Sequence, residues 1–322
     1  MFRSRTRPRT EEAVTIRTHA KEWLEQAIGR LVLGARENHL CDFDGQAAFD
    51  APVVRVADGD DPLFERFREV VSPQHMLPRE ILRQYAPADS HMPEVRVVVW
   101  ALPFTQAVRR SNRRRKWPSK LYSLARNNGG ALNVEVRRRF TEMLHKDGWL
   151  AVAPALMEGY DAFRSSEHTF TSTWSERHAA YAAGLGKFGL SGCLITPVGV
   201  SVRLGSIVTN MPLDVMPRGC GDYRAPCLAL NGAGCARCIE RCPAGAISAT
   251  GLDKSKCYAM RQAVRARHMN EYSRTLRMLP APIVKSGKRT SGYSLGCALC
   301  QCGVPCEGRI PRASSRAGAA HA

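Results

Sequence analysis

Apolar residues recur at helical spacing over residues 11–34, where Ala20, Trp23, Leu24, Ala27, Ile28, Leu31 and Val32 share one face. The stretch reads as an amphipathic helix with Gly34 as its stop. A β-branched run follows at 52–57 (PVVRVA), then a helical DPLFERFREVV segment whose start Asp60 or Asp61 can cap. Residues 95–102 (VRVVVWAL) are apolar almost without interruption, as in a strand buried on both faces, and Pro103 closes the run. Helical spacing returns at 134–147 and ends at Gly148, after which WLAVAPAL reads as a further strand. Residues 179–190 (AAYAAGLGKFGL) begin as a small-residue helix and break into glycines. LITPVG and VRLGSIVTNMPL then read as a hairpin with a Pro–Gly turn.

This alternation of strand and helix predicts an α/β body over 11–211. Pro212, Pro217 and Pro226 mark its junction with a second domain, 212–311. Residues 1–10 and 312–322 read as disordered tails, the first of them basic.

Charge adds a constraint that periodicity does not. The 322 residues carry 47 Lys and Arg against 29 Asp and Glu, a net charge of +18. Such an excess points to an anionic partner or to a solvated basic surface. Its densest part is Arg109, Arg110, Arg113, Arg114, Arg115 and Lys116, inside a stretch from 104 to 133 with no acidic residue. With Trp117 and Tyr122 close by, the 109–116 run suits nucleic acid, with phosphates on the arginines and a base stacked on a ring. It equally suits the phosphate or amides of a cofactor tail. No apolar run approaches the roughly 18 residues that span a bilayer. No apolar segment follows the basic N-terminus, so the expectation is a cytoplasmic protein without membrane association.

The candidate chemistry is concentrated in the cysteines. Ten of the twelve lie between Cys220 and Cys306. The core of this stretch reads Cys227-x7-Cys235-x2-Cys238-x3-Cys242-Pro243, then Cys257, then Cys297-x2-Cys300-x-Cys302-x3-Cys306. Bunched CxxC units without an export signal argue for metal rather than disulfides. Eight thiols with a Cys-Pro favour two [4Fe–4S] clusters over two zinc sites, since thiolates are the ligands such clusters need. In two-cluster ferredoxins the cysteine before the proline ligates the other cluster. By that crossover one cluster takes Cys227, Cys235, Cys238 and Cys306, and the other takes Cys242, Cys257, Cys297 and Cys300. Cys302 is the rival of Cys306, which is preferred because Gly303 and Pro305 make a loop able to deliver it. Cys220 ranks below Cys227, and Cys41 and Cys193 read as buried apolar thiols.

The run SERHAAYAAGLGKFGLSGCLITPVGVSVRLGSIVTNMPL (175–213), with the cysteine run after it, resembles the epoxyqueuosine reductase family. That family is similar in turn to the reductive dehalogenases. EVRVVVWALPF (94–104) and GWLAVAPAL (148–156) extend the resemblance to roughly residues 90–310. It implies a nitroreductase-like α/β body holding cobalamin in a cleft. It also implies a C-terminal two-cluster ferredoxin-like module of the βαβ type, which draws electrons from an external ferredoxin or flavodoxin. Glu176 matches the family's Glu upstream of AGLG. The position of the family's catalytic Asp falls on Thr169, with no Asp from 162 to 175, and the chain ends without the family's HEAT-repeat extension for tRNA. The resemblance is therefore to a divergent member.

The segment 162–178 then forms the wall of interest. His168 and His178 are candidate proton donors beside Glu176, although a histidine there can also simply cap or pack. Glu176 and Arg177 can form an ion pair, and Trp174 reads as core. Tyr160 and Tyr181 are further candidate acids. Gly184, Gly186 and Gly189 allow close approach to a bulky cofactor, or a turn with positive φ. The function that follows is an iron–sulfur oxidoreductase passing electrons through two clusters to a substrate or corrinoid site in the body. The alternatives are a ferredoxin-type carrier without its own catalysis and an iron–sulfur protein that binds tRNA or other nucleic acid.

Overall fold

The computed structural model describes residues 20–87, 92–163, 170–219, 221–272, 283–285, 288–290 and 296–313. The tail 1–10, the first nine residues of the expected 11–34 helix, His168, Thr169, Cys220 and residues 314–322 lie outside that set.

The body is mixed α/β, as expected. Apart from short two-residue strands at its margins, the strands that position the site are β1 (Val53–Asp58), β2 (Arg96–Pro103), β3 (Ala151–Val152), β4 (Lys187–Phe188), β5 (Leu194–Ile195) and β6 (Val202–Thr209). Four of them build the central sheet in the order β1–β2–β6–β3, with every ladder antiparallel. The helices used below are α1 (Ala20–Leu33), α2 (Leu63–Val70), α3 (Gln106–Asn112), α4 (Lys120–Lys146) and α5 (Glu176–Ala182) in the body, and α6 (Lys254–Glu271) in the cysteine-rich segment.

The apolar run of β2 is unbroken because both of its faces are covered. Val98, Trp100 and Leu102 point to one side, into a core shared with α1 and α4. Val97, Val99 and Ala101 point to the other, against Phe64 and Phe67 of α2 and Ala179 and Ala180 of α5. Fully burying a Val, Leu or Phe stabilises by about 1.5–3 kcal/mol, so this one strand anchors two cores. At the start of α2, whose N-cap is Pro62, the preceding Asp61 accepts the Leu63 N–H through Oδ1 at 2.9 Å.

Three elements differ from the reading of the sequence. The helix expected at 134–147 is the second half of α4, which begins at Lys120 with Ser119 as its N-cap. Its first half buries Ser123, Asn127, Asn128, Gly129 and Gly130, so its inner face is polar and small. A count of apolar positions does not register such a face. The strand expected from WLAVAPAL is reduced to Ala151–Val152, followed by a 3-10 turn at Pro154–Leu156. The hairpin expected between LITPVG and VRLGSIVTNMPL does not form. The turn is present, with Thr196 and Gly199 exchanging hydrogen bonds at 3.1 and 2.9 Å. Beyond it, β5 pairs with β4 while β6 enters the central sheet between β2 and β3. The long apolar ladder with β2 buries far more surface than a local hairpin would.

Candidate functional site

A third core holds the cysteine-rich segment against the body. Leu190, Ile195, Val200, Cys227, Ile247 and Val304 form it, and Cys238, Cys242, Cys300 and Cys306 pack around it. Two clamps fix the segment to α3. Arg113 Nε donates to Glu307 Oε1 at 3.1 Å and to Oε2 at 2.9 Å, and Glu307 is 6% exposed. Arg241 donates to the carbonyls of Asn112 (2.6 Å), Arg115 (2.9 Å) and Cys302 (3.1 Å).

Cys227, Cys235, Cys238 and Cys306 line one cavity, together with Leu190 and Val304. The Leu190 N–H points at Cys227 Sγ at 3.4 Å. Burial, and then crowding by Cys227 and Cys235, pushes the Cys238 thiol up to about 11; burial and the neighbouring Cys227 and Cys238 push Cys306 up to about 12. Cys242, Cys257, Cys297 and Cys300 lie within electrostatic reach of one another as a second set. The Ala246 N–H points at Cys242 Sγ at 3.2 Å. Cys302 joins neither set. It is fully buried in the core of the body, near Glu307, Ser201 and Asn112, and burial holds its thiol up at about 12.

Among the described residues, no three His, Cys, Asp or Glu side chains converge on a single metal ion. A zinc site brings its sulfurs to about 2.3 Å from one centre. Four thiols around one cavity are the soft donor set that an iron–sulfur group takes, and it deprotonates them on binding.

Two cysteines behave differently from the expectation of buried apolar thiols. Cys41 is exposed. Cys193 is half-buried, touches Cys300 through a side-chain hydrogen bond, and accepts one from Gln301 Nε2 at 3.1 Å. It lines a cleft in the body of about 310 Å³. Its polar lining includes Cys193, Gln301, Tyr160, Glu176, Arg126, Arg177 and Arg203.

The sequence candidates distribute unevenly around this cleft. Glu176 reaches it, but both oxygens are committed: Oε1 accepts from Arg137 Nη2 at 2.8 Å and Oε2 from Ser206 Oγ at 2.7 Å. Its ion-pair partner is therefore Arg137 rather than Arg177, which donates to the Gly192 carbonyl at 2.6 Å. His178 is not part of the cleft wall. Its ring sits 5.1 Å from both Phe67 and Phe188, and its Nδ1 is 2.7 Å from Ser175 Oγ. Burial, reinforced by Arg177 and His75, depresses its pKa to about 3, so it is neutral at physiological pH and does not supply a ready proton.

Of the two tyrosines, Tyr160 lines the cleft and Tyr181 does not, packing instead against Phe188 and Tyr223. Burial and the nearby Glu176 raise the Tyr160 pKa, which keeps its hydroxyl protonated. Trp174 is 1% exposed, as its core reading requires.

The glycine expectation is corrected in part. A Cβ on Gly184 (φ +67°) would lie 2.9 Å from Arg218 Cα, and one on Gly186 would lie 2.6 Å from the Ile195 carbonyl oxygen. Both serve close approach of the chain to itself. Gly189 lines the cavity of the first cysteine set. The basic run is also divided. Arg113 is committed to Glu307, while Arg110, Arg114, Arg115 and Lys116 are exposed. Tyr122 is fully buried against Phe104, so its ring is not presented for base stacking; Trp117 is half-buried, donates to His268 Nε2 at 3.1 Å and has Arg267 5.0 Å over its ring.

No protein-family model matches the chain. Among curated proteins, an epoxyqueuosine reductase of Gloeobacter violaceus is 30% identical over 154 residues, 46% of this chain and 41% of that protein. A second, from Bacillus cereus, is 35% identical over 94 residues, 28% of this chain and 22% of that protein. The chain is epoxyqueuosine reductase-like. Its match spans less than half the length of either curated relative. Among solved structures, the epoxyqueuosine reductase of Streptococcus thermophilus overlays at a TM-score of 0.42 with 13% identity, over 91% of this chain and 66% of that one. An epoxyqueuosine reductase solved with a tRNA-Tyr stem loop gives 0.40 and 17%, over 92% and 68%. A reductive dehalogenase gives 0.37 and 20%, over 52% and 23%. Overlays at these scores carry no argument about ligands. Among the described residues, no helix is long and apolar enough to cross a membrane.

Proposed function

We propose that this epoxyqueuosine reductase-like chain is an iron–sulfur oxidoreductase that delivers electrons into the cleft of its α/β body. The observation that carries the reading is the contact between Cys300, a member of the second cysteine set, and Cys193, which with Gln301 forms part of the cleft wall. Electrons enter at the set Cys227, Cys235, Cys238 and Cys306, pass to the set Cys242, Cys257, Cys297 and Cys300, and leave toward the cleft. Each set holds one [4Fe–4S] cluster, and the whole is a ferredoxin-like module docked on a nitroreductase-like body. The backbone N–H groups aimed at Cys227 and Cys242 support this assignment, because N–H···S bonds stabilise thiolate ligands and tune cluster potential.

Tyr160 supplies the proton that accompanies reduction of a substrate, being the protonated hydroxyl in the cleft wall. Glu176 acts through others, holding Arg137 and Ser206 in place. The cleft also suits the periphery of a corrinoid. Arg126 Nε is buried there without a partner and Tyr160 offers its hydroxyl to the amide rim. When bound, a corrinoid supplies a strongly reducing, nucleophilic metal centre. The external donor is an acidic ferredoxin or flavodoxin, matched by the +18 charge of the chain.

Anaerobic purification followed by metal analysis and absorption spectroscopy tests the proposal. The expected result is a brown protein with about eight irons per chain that bleaches on reduction. A colourless protein with stoichiometric zinc would overturn it.

A further inference from the structure

The basic run 109–116 lies against the loop that delivers Cys306. A Cβ on Gly303 would sit 3.1 Å from the Arg113 carbonyl oxygen, and one on Gly308 would collide with the Arg109 guanidinium. Between these two glycines Glu307 accepts from Arg113 Nε, and the adjacent Cys306 lines the cavity of the first cysteine set. Stretches 194 residues apart in the chain thus form one face.

That face is basic. Arg110, Arg114 and Lys116 are exposed on the α3 side, and Arg309 and Arg312 on the side of the cysteine loop. Glu307 is the one carboxylate within 104–133 and 296–313, and it is buried, holding Arg113 and the Gly303 N–H. Among the described residues, Arg110, Arg114, Arg309 and Arg312 make no ion pair. Pro305 and Ile310 are exposed on the same loop, Ile310 at 48%. Pro305 also lines the cavity of the first set, as does Pro311, so this loop roofs the cysteines at which electrons enter. An apolar centre with a charged rim is the anatomy of a protein-docking surface. A cationic rim steers in a partner of opposite charge. The exposed apolar residues of the loop are a proline and an isoleucine, not the rings on which bases stack.

We propose that this face, centred on Pro305 and Ile310 and rimmed by Arg110, Arg114, Arg309 and Arg312, docks an acidic redox protein that donates electrons at the first cysteine set. The inference deepens the function proposed above and rests on it for the direction of electron flow. One electron leaves the reduced partner, which is oxidised by one, and enters the site of the first set, which is reduced by one; no bond forms or breaks. Electron-transfer encounters are small, below about 1,200 Å² in buried surface. Charge therefore governs this contact mainly through the association rate.

Surface plasmon resonance of the anaerobically purified full chain against an oxidised, acidic plant-type [2Fe–2S] ferredoxin at low ionic strength tests the face. The expected result is saturable binding that weakens as salt is raised. Arg114→Glu and Arg309→Glu each weaken it by about fivefold, chiefly in the association rate. Arg66→Glu makes the same charge change on α2, which packs against the opposite face of β2 from Val108 of α3, and leaves the affinity unchanged. Zero-length carbodiimide coupling, read by mass spectrometry on the wild-type chain, needs no variant. It joins ferredoxin carboxylates to Lys116 and not to Lys146, which is exposed at the far end of α4. No binding of the ferredoxin, or equal losses from Arg66→Glu and the face variants, overturns the proposal. An RNA hairpin that binds through Arg114 where the ferredoxin does not also overturns it, and assigns the face to nucleic acid. Iron content of the same samples reads the electron-transfer function separately. A chain without iron that still binds the ferredoxin through Arg114 and Arg309 refutes that function and leaves the docking face standing; an iron-loaded chain that does not bind it does the reverse.

Discussion

Arg137 and Glu176, thirty-nine residues apart, meet at 2.8 Å behind the cleft, with side chains only 7% and 21% exposed. The pair joins α4 to the N-terminus of α5. Glu176 continues the connection to Ser206 Oγ, which accepts the Trp174 indole N–H at 3.0 Å. Removing one partner of a buried pair leaves the other charge uncompensated, at about 3–5 kcal/mol. Glu176→Ala is therefore expected to lower the unfolding free energy by roughly that amount in urea. An unchanged midpoint would remove the pair from the account of α5 placement.

The two rival cysteines separate cleanly in space. Cys306 lines the cavity with Cys227, Cys235 and Cys238, while Cys302 is enclosed by the body core. Cys306→Ala is expected to halve the iron content, from about eight to about four per chain. Cys302→Ala is expected to keep all of it and to cost about 1–2 kcal/mol through a small cavity. Iron analysis with denaturant melts distinguishes them, and equal iron loss from both would refute the assignment.

Glu307 ties the last cysteine to the body. It accepts from Arg113 and from the Gly303 N–H at 3.1 Å, while the Cys306 carbonyl accepts the Val200 N–H at 2.8 Å. Glu307→Gln removes a charge-assisted contact worth about 1.5–3 kcal/mol. The expected outcome is faster iron release to a chelator from the first cysteine set, with the second set slower to respond. A release rate equal to wild type would count against the clamp.

Two histidines set an acid limit. Burial depresses His75 to about 4 and His178 to about 3, against about 6.5 when unfolded. The folded state thus binds fewer protons than the unfolded state between these values. Their contribution is complete above about pH 6.5 and is lost as pH falls toward 4, by up to about 1.4 kcal/mol per pH unit for each group. Urea midpoints measured from pH 7 to pH 4.5 should fall accordingly, and His75→Asn should flatten the slope. A variant profile parallel to wild type would exclude His75 as a source.

The sequence alone determined what depends on local pattern. The run at 95–102 had to be a doubly buried strand, because no one-sided strand tolerates so many apolar residues in succession, and β2 occupies that place. The amphipathic helix ending near Gly34 and the turn at Gly184 followed from spacing and from single residue types. The cysteine spacing likewise identified which thiols to consider.

Tertiary structure decided which residues meet. Gly129 and Asn133 fit α4 to its neighbours through close approach to Arg203 and Phe49 and the Trp100–Asn133 hydrogen bond at 2.9 Å, contacts that periodicity cannot register. Glu176 took Arg137 rather than its neighbour Arg177, because residues adjacent on a helix point in different directions. Cys193 looked like an isolated apolar thiol until the fold set it between Cys300 and the cleft. The arginines of that cleft come from α4, α5 and β6. Their convergence is a property of three elements packed together, and no single stretch of the chain contains it.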